Sequence, residues 1–142
     1  MARLLAIDFG LKRTGIAVTD VLQLIPHALT TVDTNELLTF LETYAKAEEV
    51  EKIIVGQPLQ KNFKPSEIEP NILSFLGRLK KKLPDIPVVR FGEQHTSQWA
   101  MQSLISSGVK KSERRNKALI DKVSATIILQ QYMDAHTNTN LF

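Results

Sequence analysis

Apolar positions in this chain follow two rhythms, a strand-like one at the start and a mixture of short runs and helical spacing afterwards. Leu4-Leu5-Ala6-Ile7 and Ile16-Ala17-Val18 are compact apolar runs on either side of a short turn containing Gly10, Lys12 and Arg13, which predicts a hairpin. Ala28 to Val32 predicts a third short strand. At Leu37 the spacing changes, with Leu37, Leu38, Leu41, Tyr44 and Ala45 marking one face of a helix. Asp33-Thr34-Asn35-Glu36 precedes it as a capping box, Asp33 reaching forward and Glu36 back. Ile53-Ile54-Val55-Gly56 has the continuous apolar character of a strand buried on both faces. A polar loop, the best candidate for a mobile segment, runs from Gln57 to Pro65. Helical spacing resumes from Ser66 to Leu83 through Ile68, Ile72, Leu73, Leu76 and Leu79, with Ser66 and Glu69 as a capping pair and Pro70 in the tolerant first turn. Pro87 to Phe91 predicts a fifth strand, with Glu93 just beyond its end. Thr96 then caps a helix carrying Trp99, Ala100, Leu104 and Ile105, and after Gly108 a last helix runs from about Glu113 to Met133.

Three strands followed by alternating helix and strand predict an α/β fold, a mixed five-stranded sheet beginning with an antiparallel meander and flanked by helices. A length of 142 residues suits one domain with its own core, spanning 1–142. The apolar share of 43% against 23% charged excludes a disordered or fibrous chain. No apolar run is long enough for a membrane span, and the chain enters a strand with no export signal ahead of it, so the expected location is cytoplasmic. The chain has no cysteine, which removes thiolate chemistry and any zinc site built on sulfur.

The net charge of +3 is modest but unevenly placed. Arg78, Lys80, Lys81 and Lys82 form one basic cluster. Lys110, Lys111, Arg114, Arg115 and Lys117, interrupted only by Glu113 among acids, form a denser one. Such clusters suit a polyanion, because neutralising phosphates releases counterions and gives sequence-independent affinity. A solvated face is the ordinary alternative; the second cluster weighs more because it runs directly toward Asp121.

Asp8 ends the first apolar run, where a carboxylate is costly to desolvate unless a cation or a turn compensates it. Glu93 follows the fifth strand and Asp121 lies near the start of the last helix. Strand ends and helix starts of this kind can direct acids into one crevice of an α/β sheet. Asp121 shares a helical stripe with Ser124, Ala125 and Ile128, whose small members let the helix lie close to the sheet. The plainer readings are a turn cap for Asp8, a helix-dipole contact for Asp121 and a residue before the Thr96 cap for Glu93. Three converging carboxylates without thiols favour Mg²⁺ or Mn²⁺, and a pair of such ions suits phosphodiester cleavage. His27, His95 and His136 show no metal-ligand spacing; His95 is noted only for its nearness to Glu93.

With these residues in view, the chain resembles the YqgF/RuvX family of Holliday junction resolvases and pre-16S rRNA nucleases, in the ribonuclease H-like superfamily. The resemblance rests on Ala6-Ile7-Asp8-Phe9-Gly10 with Lys12 to Asp20, on Ile54-Val55-Gly56-Gln57-Pro58, on Glu93 with Thr96-Ser97 and Ala100, and on Asp121 to Ala125 with Ile127 to Gln130. It implies a ribonuclease H-like fold and Mg²⁺- or Mn²⁺-dependent nuclease chemistry at Asp8, Glu93 and Asp121; Lys12, Arg13 and the 110–117 cluster are expected, from their charge, to border the same crevice and contact phosphates. Two departures bear on activity more than on fold. The chain has Gly92-Glu93-Gln94 where the family has Asp-Glu-Arg, and Leu59-Gln60-Lys61-Asn62-Phe63 where the family's loop carries glycine. Arg13 or Arg90 are the candidates to supply the missing charge.

The resemblance implies processing of the 5′ end of pre-16S rRNA, with junction resolution as the alternative; the sequence itself does not separate structured RNA from branched DNA. A reading of another class is a non-catalytic, nucleic-acid-binding ribosome-maturation factor with a weakened site. The Asp-x-Gly hairpin also opens two-domain sugar-kinase and actin ATPases, but this length cannot supply both domains. A resolvase cutting two strands symmetrically favours a homodimer, whereas an RNA-processing enzyme can act as a monomer.

Overall fold

The computed structural model describes residues 2–58, 67–93 and 117–140. Five strands, β1 (Arg3–Asp8), β2 (Arg13–Thr19), β3 (Pro26–Asp33), β4 (Val50–Pro58) and β5 (Val88–Glu93), form one sheet in the order β3-β2-β1-β4-β5. β1 and β2 form the expected hairpin, and β2 pairs antiparallel with β3. β4 and β5 join parallel to β1, so the sheet is mixed and the carboxyl ends of β1, β4 and β5 lie together.

Period-two alternation divides the central strands between two cores. Leu5 and Ile7 of β1, Ile16 and Val18 of β2, and Ile53 and Val55 of β4 pack under α1 (Leu37–Ala47) and α2 (Glu69–Lys82). Leu4, Ala6, Ala17 and Ile54 face the other way, against Ala125, Ile128, Leu129 and Tyr132 of α3 (Lys117–Asn140). The small-residue stripe expected on the last helix is present, with Ser124 and Ala125 buried against the sheet.

Several boundaries differ from expectation. β3 extends beyond 28–32 because its ladder with β2 runs from Thr19↔Pro26 to Arg13↔Asp33. Glu93 is the last residue of β5 rather than a residue beyond it, since β4 continues through Gln57 to Pro58 and pairs with Glu93. α3 runs past Met133 to Asn140. The capping box does not form: Asp33 makes no side-chain cap, and a 3-10 turn over Thr34–Glu36 intervenes before α1. Glu69 is not a capping partner either. It is buried and bonded bidentately to Arg90, whose guanidinium also donates to the Val55 and Gly56 carbonyls. Ser66, the 59–65 part of the polar loop, the helix expected around Trp99 with Thr96 and His95, and the Gly108 break lie outside the described residues.

Between β2 and β3 the chain turns at Asp20, whose carboxylate accepts the backbone N–H groups of Leu22, Leu24 and Ile25. That loop is at the end of β2 remote from Asp8.

Candidate active site at the carboxyl end of the sheet

Asp8 is opposite Gly15 in the β1–β2 ladder and shares strand parity with Leu4 and Ala6, which places it on the α3 face. Gly15 is where α3 meets that ladder. A methyl at position 15 would stand 2.0 Å from the Asp121 carbonyl oxygen and 2.7 Å from the Lys122 nitrogen, so only glycine admits the helix backbone here. Asp8 and the backbone of Asp121 are therefore both neighbours of Gly15.

Arg13, two positions from Gly15 on the same side of β2, donates from Nε to Asp121 Oδ2 at 3.2 Å. The side chains are 36% and 24% exposed, so the pair keeps access to solvent and contributes no more than about 1 kcal/mol to stability. Its consequence is orientation: a guanidinium is held beside the Asp121 carboxylate. Lys12, in the preceding turn, is exposed.

The backbone of Glu93 lies at the same end of the sheet, on the strand whose Val89 and Phe91 pack on the α3 core. The side chain of Glu93 lies outside the described part of the molecule, as do Gln94, Lys110, Lys111, Arg114 and Arg115 and the side chain of Lys117, although Lys117 opens α3. Among the described residues no group of three or more His, Cys, Asp and Glu side chains is close enough to hold a metal. The described acids nevertheless fit a hard cation. Asp8 and Asp121 offer only oxygen donors, which suit a hard cation, and Asp121 is already engaged by the Arg13 guanidinium.

Arg90 does not reach this site. Its register partner Val55 belongs to the α1/α2 core, so Arg90 is on the opposite face, committed to Glu69. Arg13 is the described arginine that stands beside the acids.

Sequence reading missed Thr34. Its hydroxyl donates to the Gly10 carbonyl at 2.6 Å and lies 3.0 Å from the Thr14 hydroxyl, while its N–H donates to the Lys12 carbonyl. A Ser/Thr/Asp/Asn-rich segment ahead of a helix signals a cap, which masked this second use. Phe9 holds the other side of the turn, its ring 5.5 Å from that of Phe75 on α2.

The chain is 54% identical over 135 residues to a protein of Phocaeicola vulgatus named "Putative pre-16S rRNA nuclease", covering 95% of this chain and 97% of the relative. A protein of Christiangramia forsetii with the same name is 52% identical over 133 residues, covering 94% and 98%. Among solved structures, Thermus thermophilus RuvC in complex with a Holliday junction substrate superposes with a TM-score of 0.56 at 17% identity, covering 94% of this chain and 96% of that one. Fowlpox virus resolvase, in complex with Holliday junction DNA, gives a TM-score of 0.56 at 12% identity, covering 94% and 97%. These structural likenesses show that the chain shares the fold of those two proteins. Residues 2–135 match the RuvX family, described as Holliday junction resolvase, and the chain belongs to that family.

Proposed function

We propose that this chain is one nuclease domain, 1–142, that hydrolyses phosphodiester bonds in structured nucleic acid, with precursor 16S rRNA as its substrate in the cytoplasm. The observation that supports the proposal is the placement of Asp8 opposite Gly15 and of the Asp121 backbone upon it, with Arg13 paired to Asp121. The names of the relatives support rRNA as the substrate, and the family description keeps a four-way DNA junction as the alternative.

Asp8, Asp121 and Glu93 are the residues that would hold Mg²⁺ or Mn²⁺. Such an ion supplies an acidified water and stabilises charge on the leaving oxygen. The protein's own part is positioning. Arg13, with Nε engaged by Asp121, presents a planar fork suited to a phosphate. Lys12 and the basic residues 110, 111, 114, 115 and 117 extend that grip along the backbone. Gly92 and Gln94 mark a slower enzyme than relatives with Asp-Glu-Arg, and they are the observation that favours a binding-only maturation factor as the second reading.

The test is cleavage of a precursor 16S rRNA 5′ stem and of a four-way DNA junction side by side, with Mg²⁺ or Mn²⁺ and with Asp8→Asn as control. Cleavage of the rRNA stem that Asp8→Asn abolishes is the expected result. Binding of either substrate without metal-dependent cleavage overturns the nuclease reading in favour of the second.

A further inference from the structure

We infer that Thr34 is a positioning residue for the phosphate-gripping turn between β1 and β2, an inference that takes its activity readout from the nuclease reading above. The ladder between β1 and β2 ends at Asp8↔Gly15, so the turn that carries Lys12 has no support from that ladder. Thr34 supplies it from the far side of β2. It follows β3 directly, where Arg13↔Asp33 closes the β2–β3 ladder.

The bonds form a directed set. A hydroxyl has one proton, and Thr34 gives its proton to the Gly10 carbonyl at 2.6 Å. The Thr14 hydroxyl, 3.0 Å away and on a fully buried residue, therefore donates to Thr34. The Thr34 N–H takes the Lys12 carbonyl at 3.0 Å. One residue thus ties together Gly10, Lys12 and Thr14, which flank or form the turn. Only glycine fits at position 10, because a Cβ there would stand 2.3 Å from the Arg13 carbonyl oxygen. With Phe9 pinned on Phe75 and Thr34 bonded to Gly10 and Lys12, the backbone between Asp8 and Arg13 is held at two points. Lys12 and Arg13 are thereby presented next to Asp8 without dependence on a ligand to order them.

Valine replaces the hydroxyl with a methyl of nearly the same shape, and serine restores it, so the test compares Thr34→Val with Thr34→Ser in the full chain. Three readouts are taken: hydrogen exchange of the amides of residues 10–13, binding of the rRNA stem and the four-way junction in an Asp8→Asn background, and steady-state cleavage. Loss of two neutral hydrogen bonds predicts exchange in the turn about tenfold faster in the valine variant. It also predicts about tenfold weaker binding with a shallower salt dependence, and a rise in KM larger than any fall in kcat. Serine should restore all of these. Unchanged exchange in Thr34→Val, or equal losses in the serine and valine variants, overturns the proposal. If the wild-type chain cuts neither substrate the nuclease reading fails, and exchange and binding still decide the role of Thr34.

Discussion

The backbone of Asp121 lies directly on Gly15, so close that a Cβ there would fall 2.0 Å from the Asp121 carbonyl oxygen. The contact sets the height of α3 above the sheet at the point where β1 ends in Asp8. A glycine in a strand usually weakens it; here it admits the backbone of the helix that carries Asp121.

Gly15→Ala should therefore separate the two acids. The methyl meets backbone rather than a flexible side chain, so relief requires a shift of α3, at a cost of roughly 1–3 kcal/mol. A displacement of about 1 Å at a reacting centre lowers rates by about a hundredfold. Thermal unfolding and single-turnover cleavage check this, and a variant with wild-type cleavage would show that the approach of α3 is unrelated to the site.

Removing basic charge should reveal which residues grip phosphate. Arg13→Ala, and separately alanine at Lys110, Lys111, Arg114 and Arg115 together, should weaken nucleic-acid binding and flatten its dependence on salt. The slope should fall by about 0.7–0.9 for each phosphate left without its cation. A slope equal to wild type for the fourfold variant identifies that cluster as a solvated face.

Gln94→Arg should raise metal-dependent cleavage. An arginine–phosphate hydrogen bond is worth about 1.5–3 kcal/mol, equivalent to roughly ten- to hundredfold in rate when it acts in the transition state. Glu93→Gln should abolish the remaining cleavage while leaving binding intact. No gain from the arginine would mean that Arg13 already provides the charge, and activity that survives Glu93→Gln would remove Glu93 from the site.

Acid should loosen the β2–β3 loop at Asp20. The N–H of Ile25 has the largest influence and holds the Asp20 carboxyl below its ordinary value; desolvation, the next largest, opposes it, and the N–H groups of Leu24, Asp20 and Leu22 add to the lowering. A depressed folded-state pKa means a contribution present above the ordinary value of 3.8 and lost as pH falls through the depressed one. Hydrogen exchange at Leu22, Leu24 and Ile25 should accelerate in that window, and Asp20→Asn should remove the pH step. A step that persists in the asparagine variant assigns it to another group.

Much of this arrangement is legible in the residues because it is local or periodic. The hairpin, the alternating core of β1 and β4, and the small face of α3 at Ser124 and Ala125 follow from spacing alone. Asp8 and Asp121 are legible as acids at element ends. What stays hidden depends on partners distant in sequence. Glu69 carries the pattern of a capping residue, and only the register of β5 against β4 brings Arg90 to it. Thr34 likewise has the composition of a cap, and its use as a clamp depends on β3 returning beside β2. The face that Arg90 occupies follows from strand parity, which the residues around it do not reveal.

The central position of β1 also has a kinetic consequence. Leu5 faces Val18 across a hairpin that closes locally, and Ile53 across a parallel pairing that forms only after the chain has crossed through α1. A hairpin forms in about 1–10 μs, whereas parallel pairing must first overcome the entropy of closing a long loop. Docking of β4 onto a preformed hairpin is therefore the expected rate-limiting event in folding. Ile53→Val should slow refolding in proportion to the stability it removes, while Leu129→Ala on α3 should mainly accelerate unfolding. Chevron plots in which both variants act only on unfolding would move the barrier elsewhere, to a point before β1 and β4 meet.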